Sequence, residues 1–251
     1  VLLLGASGIH KAHLLYAAAE DSAKQILVIA DDEAAARALT DDINAMSGSE
    51  IAWLYPERDF TLRQREVPSR EYEQIRLGVL ARLQSGECRI VCASAEAVAQ
   101  HTTPPDILAA STFTIDGKGS YTMEGLSRRL IGAGYENRSQ VEGAAQFSIR
   151  GGILDIFPPS QPNPVRIEFW GDAVDTMAYF DLQTQRRTEK ISSLTVTPAN
   201  EVQYDSAEAF CTALSALVKK TRNPRAKELL GQDLAKVESG VTLNSLDKYY
   251  T

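Results

Sequence analysis

Three cysteines and three histidines are few for a chain of 251 residues, and they stand in no CxxC or HxxxH spacing. Nothing therefore points to a metal centre, and an odd cysteine count in a long chain does not build a disulfide framework. Cys88 and Cys92 flank the apolar Ile90-Val91 and read as buried free thiols of a reducing cytoplasm. No apolar run approaches the roughly 18 residues of a membrane span. A charged start followed by a cleavage site is also missing, so the apolar opening from Val1 to Leu4 reads as a chain that begins inside a strand. Neither a Ser-His-Asp arrangement nor a pair of catalytic carboxylates is legible. Excess positive charge is lacking as well: the formal net charge is −7. Nucleic acid is held chiefly by phosphate neutralisation, so this balance argues against a stand-alone DNA-binding domain.

The remaining composition, 44% hydrophobic and 24% charged, is that of a globular protein. Residues 1–111 carry 10 basic and 16 acidic side chains, residues 112–197 carry 9 and 10, and residues 198–251 carry 7 and 7. The first segment alternates short apolar runs with helical stretches: "VLLLG", "QILVIAD", "IAWLYP" and "RIVCAS" read as buried strands. Between them, "DDEAAARALTDDINAM" starts at an N-cap on Asp31 or Asp32. "SREYEQIRLGVLARLQ" starts at Ser69 and sets Tyr72, Ile75, Val79 and Leu83 at helical spacing. Strands alternating with helices imply a parallel α/β sheet.

After "TTPPD" the pattern changes. One helix near residues 121–133 precedes the short strands "QFSIR", "GILDIFPP", "PVRIEFWGD", "AVDTMAYFD" and "ISSLTVTP", punctuated at Gly151-Gly152 and Gly171-Asp172. This is the pattern of a small, mostly antiparallel α+β domain. In "VRIEFW" the two-residue strand period turns Val165, Ile167 and Phe169 inward and leaves Arg166, Glu168 and Trp170 on the outer face. An Arg and a Trp two pleats apart have the make-up of an interface hot spot. The competing arrangement folds Trp170 into the core and pairs Arg166 with Glu168 or another acid. Asp155 and Asp172 read as turn or salt-bridge residues. Arg186-Arg187 with Lys190, Arg128-Arg129 and the mixed-charge "YPERDFTLRQRE" read as solvated surface. Beyond Pro198 the chain is helical and polar again, and "NPRAKELLGQDLAKV" is an amphipathic helix suited to packing on the sheet.

The stretch "GASGIHKA", residues 5–12, lies where a phosphate-binding loop would lie, between a strand and a helix. A working loop reads GxxxxGK[ST]: glycines let backbone N–H groups wrap the phosphates, the Lys reaches their oxygens, and the hydroxyl binds Mg²⁺. Gly5 and Lys11 match. His10 takes the second glycine position, where a Cβ would clash if φ must be positive, and Ala12 offers the metal no oxygen. The loop reads as a relic.

The run "RGGILDIFPP…PVRIEFWGDAVDTMAYFDLQTQRR" resembles the signature shared by the bacterial excision-nuclease B subunit (UvrB) and the N-terminal module of transcription-repair coupling factors (Mfd). The upstream "GYENRSQVEGAAQFSIRGG" fits it too, and weaker similarity runs along nearly the whole chain. The degenerate loop, the short "LYPERDFTLRQREVPSREYEQ" in place of a Tyr-rich DNA-gripping hairpin, and the form of "DLQTQRR" favour the coupling factors.

That resemblance implies a fold of class α/β: a degenerate P-loop, helicase-like parallel lobe formed by residues 1–111 and, cut short, 198–251, with a small α+β domain of mostly antiparallel strands inserted at 112–197. It implies a non-catalytic, cytoplasmic module of nucleotide excision repair that docks the excision-nuclease A subunit (UvrA) through Arg150, Arg166 and Trp170. Trp stands here where many relatives carry Phe. ATP and Mg²⁺ would be needed only at a separate motor of the full-length protein, which would reach RNA polymerase and DNA through its other domains. The alternative is the first lobe of an ATP-dependent, DNA-damage-binding helicase of the UvrB type.

Overall fold

The computed structural model describes residues 4–58, 71–202 and 207–239, together with Leu243 and Tyr249. Most of the strand expected at Val1–Leu4, the Ser69 cap and most of "YPERDFTLRQRE" lie outside the described residues. Those described divide into two compact units, one of residues 4–58 and 71–201, the other of Val202 and the residues after it.

The first unit opens with α1 (Gly8–Asp21), β1 (Ile26–Ala30), α2 (Glu33–Ser47), β2 (Ala52–Tyr55), α3 (Glu71–Ser85), β3 (Ile90–Ser94), α4 (Ala95–Ala99) and α5 (Pro105–Ser111). The three strands form a parallel sheet in the order β1-β3-β2, the mixed α/β pattern that the alternation implies. Central β3 is buried on both faces. Ile90 and Cys92 meet Ala12, Ala19, Ala36 and Ile43 of α1 and α2, whose small side chains let the helices sit close. Val91 and Ala93 meet Tyr55, Val79 and Ala97 on the opposite face. The α2 helix is capped by Asp32, whose Oδ1 accepts from the Ala35 N–H at 2.7 Å, and ends on left-handed Gly48.

Helix α3 departs from the expected face. Val79 is buried and Leu83 packs beside it as expected, but Tyr72 and Ile75 are exposed, whereas Arg76, Leu77 and Gly78 are buried. The reason is electrostatic: the fully buried Arg76 meets fully buried Glu201, with Nε 3.0 Å from Oε2 and Nη2 3.1 Å from Oε1. Arg76 also donates to the Pro56 carbonyl at 2.8 Å and lies 4.0 Å from the centre of the Tyr55 ring. Burial pushes the Tyr55 phenol up to about 12, with Arg76 opposing it. Thr102 donates to the Glu201 carboxylate at 3.0 Å, and Glu73 accepts from the Glu201 N–H at 2.7 Å.

The rest of the unit comprises β4 (Phe113–Asp116), α6 (Met123–Gly132), β5 (Glu136–Asn137), β6 (Gln146–Arg150), β7 (Ile153–Phe157), β8 (Val165–Trp170), β9 (Ala173–Phe180), β10 (Arg187–Lys190) and β11 (Ser193–Val196). Six strands run β10-β9-β8-β7-β6-β5, antiparallel throughout except for the short parallel β5–β6 pair, and β11 pairs antiparallel with β4. Gly151 and Gly171, at φ +60 and +61, make the tight reversals β6–β7 and β8–β9, a conformation costly for residues with a Cβ. One face of the sheet, with α6 and the β4–β11 pair, closes a core around Phe147, Leu154, Ile156, Val165, Ile167 and Leu194. Each fully buried aliphatic side chain there contributes about 1.5–3 kcal/mol. Strand β10, part of what reads in the sequence as a solvated basic cluster, is exposed at every residue and forms the sheet edge.

The second unit pairs α7 (Ala207–Lys220) with α8 (Pro224–Glu238). Asn223 caps α8 by accepting from the Arg225 and Ala226 N–H groups. Its apolar cluster is formed by Val202, Phe210, Val237, Leu243 and Tyr249. Among the described residues no helix is long and apolar enough to cross a membrane.

Candidate functional site

The strand register arranges the outer face of the six-stranded sheet in rows. Ser148, Asp155, Arg166 and Ala178 stand opposite one another across β6 to β9, and Arg150, Ile153, Glu168 and Thr176 form the next row. Trp170, paired with Ala173, ends the face at the β8–β9 reversal. At about 3.4 Å per residue, Trp170 lies roughly 14 Å along β8 from Arg166.

Val165, Ile167 and Phe169 do point inward, and Trp170 is 86% exposed rather than folded into the core. An indole this open on a regular strand contributes little to packing. Arg166 behaves differently from an open hot-spot residue. Only 16% of its side chain is exposed, because it is clamped by the acid opposite it. Its Nε donates to Asp155 Oδ1 at 2.6 Å and its Nη2 to Oδ2 at 2.8 Å, a bidentate fork. These bonds push the guanidinium further up from its already high value, against the effect of burial. Arg150, half exposed, reaches diagonally to the same carboxylate, with Nη2 donating to Oδ2 at 2.7 Å. Glu168 pairs with Arg187 instead of Arg166 and accepts from the Thr176 hydroxyl at 3.0 Å.

The "FDLQTQRR" part of the signature closes the third side of Arg166. Phe180 lies under the guanidinium, 4.7 Å from its carbon to the ring centre. Asp181 Oδ1 accepts from the Thr184 N–H at 2.7 Å and from its hydroxyl at 2.8 Å, and those bonds lower the Asp181 carboxyl. The turn so formed carries Gln185 at φ +59, in the left-handed region. Its backbone carbonyl and Oε1 accept from Arg166 at 3.3 and 3.2 Å. Two segments, β7 through Asp155 and the stretch from Phe180 to Gln185, thus converge on one arginine. The structure brings Arg150 and Arg166 together through Asp155, whereas Trp170 stands apart at the hairpin end.

The loop at residues 5–12 is built as a helix entry. Gly5 is left-handed at φ +77, Ser7 is the N-cap, and α1 begins at Gly8. His10 and Lys11 are therefore helical, and the positive φ at which a His10 Cβ would clash is not adopted. The His10 Nδ1 lies 2.9 Å from the Ser7 hydroxyl, and the Lys11 N–H donates to the Ser7 carbonyl. Ala12 is fully buried in the cluster against the sheet. A cleft of about 470 Å³ between this loop and β1 is lined largely by apolar side chains, Leu4, Leu14, Val28 and Ile29 among them, with Lys11 and Asp31.

Burial accounts for the thiols. Cys88 and Cys92 are free and buried, and desolvation pushes Cys88 up to about 12 and raises Cys92.

Residues 113–202 match the UvrB interaction domain family, so the class of the antiparallel sheet and its outer face is that of a UvrB interaction domain. Along 99% of its length the chain is 31% identical to the transcription-repair-coupling factor of Bacillus subtilis. It is 31% identical over 79% of its length to that of Myxococcus xanthus, and 27% identical over 74% to that of Haemophilus influenzae. The chain belongs to the family of bacterial transcription-repair-coupling factors, as their UvrB-homology module, and so to DNA repair. It spans about a fifth of the length of these relatives, 22% of the first, 17% of the second and 16% of the third.

Proposed function

We propose that the chain is a non-catalytic docking module that recruits the excision-nuclease A subunit (UvrA) through the outer face carrying Arg150, Arg166 and Trp170. The observation that carries this reading is Trp170, 86% exposed on a regular strand inside a UvrB interaction domain. On the same sheet face stand two guanidiniums fixed by one buried acid. Large aromatic area and directional cationic donors are what hot spots of protein interfaces are made of.

The parallel part serves in this reading as a degenerate helicase-like lobe that holds the docking domain. Its support is the loop: a helical His10 and a core-facing Ala12 leave neither the backbone wrap nor the metal-binding hydroxyl of a working phosphate loop. In the full-length protein, the ATP-driven motor and the contacts to DNA and to RNA polymerase stalled at damage belong to other domains. This module links them to the excision nuclease.

The test is a calorimetric titration of the module with UvrA beside an Arg150→Ala/Trp170→Ala variant, both of whose sites are solvent-accessible. Binding by the parent and its loss in the folded variant are expected. Binding by neither would overturn the reading, and equal binding by both would move the site off this face.

A further inference from the structure

The two arginines of this face share one acid. Asp155 is 1% exposed, yet its carboxylate sits on the side of β7 that faces away from the core. Oδ1 is occupied by Arg166, and Oδ2 takes one N–H from Arg166 and one from Arg150. A single negative charge is thus set between two positive ones, leaving the group with a net positive charge. The Arg150 guanidinium uses one donor on Asp155 and remains half exposed. Arg166 is held in addition by Phe180 and Gln185 and is nearly covered. The buried arginine and its acid form the base of a fork, and the open arginine forms its tip.

We propose that Asp155 is the positioning residue of the docking face. Its carboxylate locks Arg150 onto the held Arg166 as one preorganised cationic unit, so that UvrA meets a rigid donor set instead of a freely rotating Arg150. Arg and its long stem lose considerable rotamer freedom when fixed at an interface, and fixing the tip in the unbound protein removes that loss from the binding step. The net positive charge of the trio fits an acidic side chain on the partner. This inference rests on the docking reading above.

The sign of one substitution separates positioning from simple electrostatics. Asp155→Asn removes a negative charge and makes the face more positive, so a face acting by charge alone would bind an acidic partner as tightly or more tightly. Positioning gives the opposite result: UvrA binding at least tenfold weaker in a variant that still unfolds cooperatively. Asp155→Glu keeps the charge but displaces the carboxylate by one methylene, and the same direction of change is expected. Should neither variant fold, Arg150→Ala, Arg166→Ala and the double variant decide. Arginines joined through one acid give binding losses that depart from additivity by more than threefold, whereas independent arginines add.

The parent and Trp170→Ala are titrated in the same series. No binding by the parent removes the docking reading and this inference with it. A parent that binds, a Trp170→Ala variant that does not, and Asp155 variants that bind like the parent would leave the docking reading standing and overturn the role given to Asp155.

Discussion

Arg76 and Glu201, separated by 125 residues in sequence, are both fully buried and joined at 3.0 Å. The pair ties α3 of the parallel sheet to the residue that follows the last strands of the antiparallel part; Tyr55, Thr102, Glu73 and the Pro56 carbonyl add hydrogen bonds, and the buried Arg58 lies 3.7 Å from the same Glu201 carboxylate. Ion pairs of this kind gain little net stability over apolar packing, but removing one partner strands a buried charge. Arg76→Ala or Glu201→Ala should each cost about 3–5 kcal/mol in denaturant unfolding. The paired Arg76→Met/Glu201→Leu replacement should cost markedly less than the two single losses combined. A single loss under about 1 kcal/mol would mean that water reaches the pair and that it is not the clamp described.

Tyr55 lies against this pair and makes stability dependent on alkaline pH. Its phenol titrates at about 12 in the folded chain, raised chiefly by burial, against 10.0 when unperturbed. Above pH 10 the unfolded chain loses a proton that the folded chain keeps, so this contribution is intact below pH 10 and is lost as pH rises to about 12. The loss amounts to at most about 2–3 kcal/mol. Tyr55→Phe removes the titrating group along with the hydrogen bond to Thr102. The stability advantage of the parent over this variant, measured by urea unfolding at pH 9 and pH 11, should therefore shrink with pH. A gap that stays constant would mean that the phenol is not desolvated.

Restoring the phosphate-loop sequence should not restore nucleotide binding. His10→Gly puts glycine inside α1 and removes the contact with Ser7, at a cost of about 0.5–1 kcal/mol. Ala12→Thr adds a methyl and a hydroxyl to a fully buried position among Ala36 and Ile43, costing about 1–3 kcal/mol. The double variant should melt earlier than the parent and titrate Mg²⁺-ATP no more tightly. Micromolar Mg²⁺-ATP binding by the parent itself would reverse the reading of the loop and favour a helicase lobe.

Local patterns made much of the candidate site legible. Period-two alternation in "VRIEFW" sorts Val165, Ile167 and Phe169 from Arg166, Glu168 and Trp170, and the glycine reversals mark the hairpins. The tight turn at Gly151-Gly152 even sets Ser148 opposite Asp155. The pairing of Asp155 with Arg166 is less accessible, because the β7–β8 register depends on how the segment 158–164 folds. Glu168 is the nearer acid to Arg166 in sequence and lies on the same face of its strand, yet Arg187 of the edge strand takes it. The burial of Arg76 is equally non-local, since a helical wheel cannot place an arginine inward when its charge partner is a glutamate 125 residues away. Gln185 escapes for a third reason: its left-handed backbone follows from the Asp181–Thr184 turn and carries no glycine to announce it.

Trp170 offers a signal that reports docking directly. The chain contains two tryptophans, and Trp53 on β2 is half-buried whereas Trp170 is 86% exposed. Emission from Trp170 should therefore be that of a hydrated indole, and Trp170→Ala should leave the melting temperature almost unchanged, because the side chain buries little in the free module. Docking should remove the indole from water and shift its emission to shorter wavelength. The shift should saturate with the UvrA concentration and be missing in Trp170→Ala mixed with UvrA, once UvrA's own emission is subtracted. A hot-spot aromatic is worth about 2 kcal/mol or more, which weakens binding by roughly thirtyfold when it is truncated. Phe at the same position keeps the aromatic plane and loses the N–H donor, so Trp170→Phe should retain most of that affinity. If Trp170→Phe binds as poorly as Trp170→Ala, the indole N–H, rather than the buried ring, is what the partner reads.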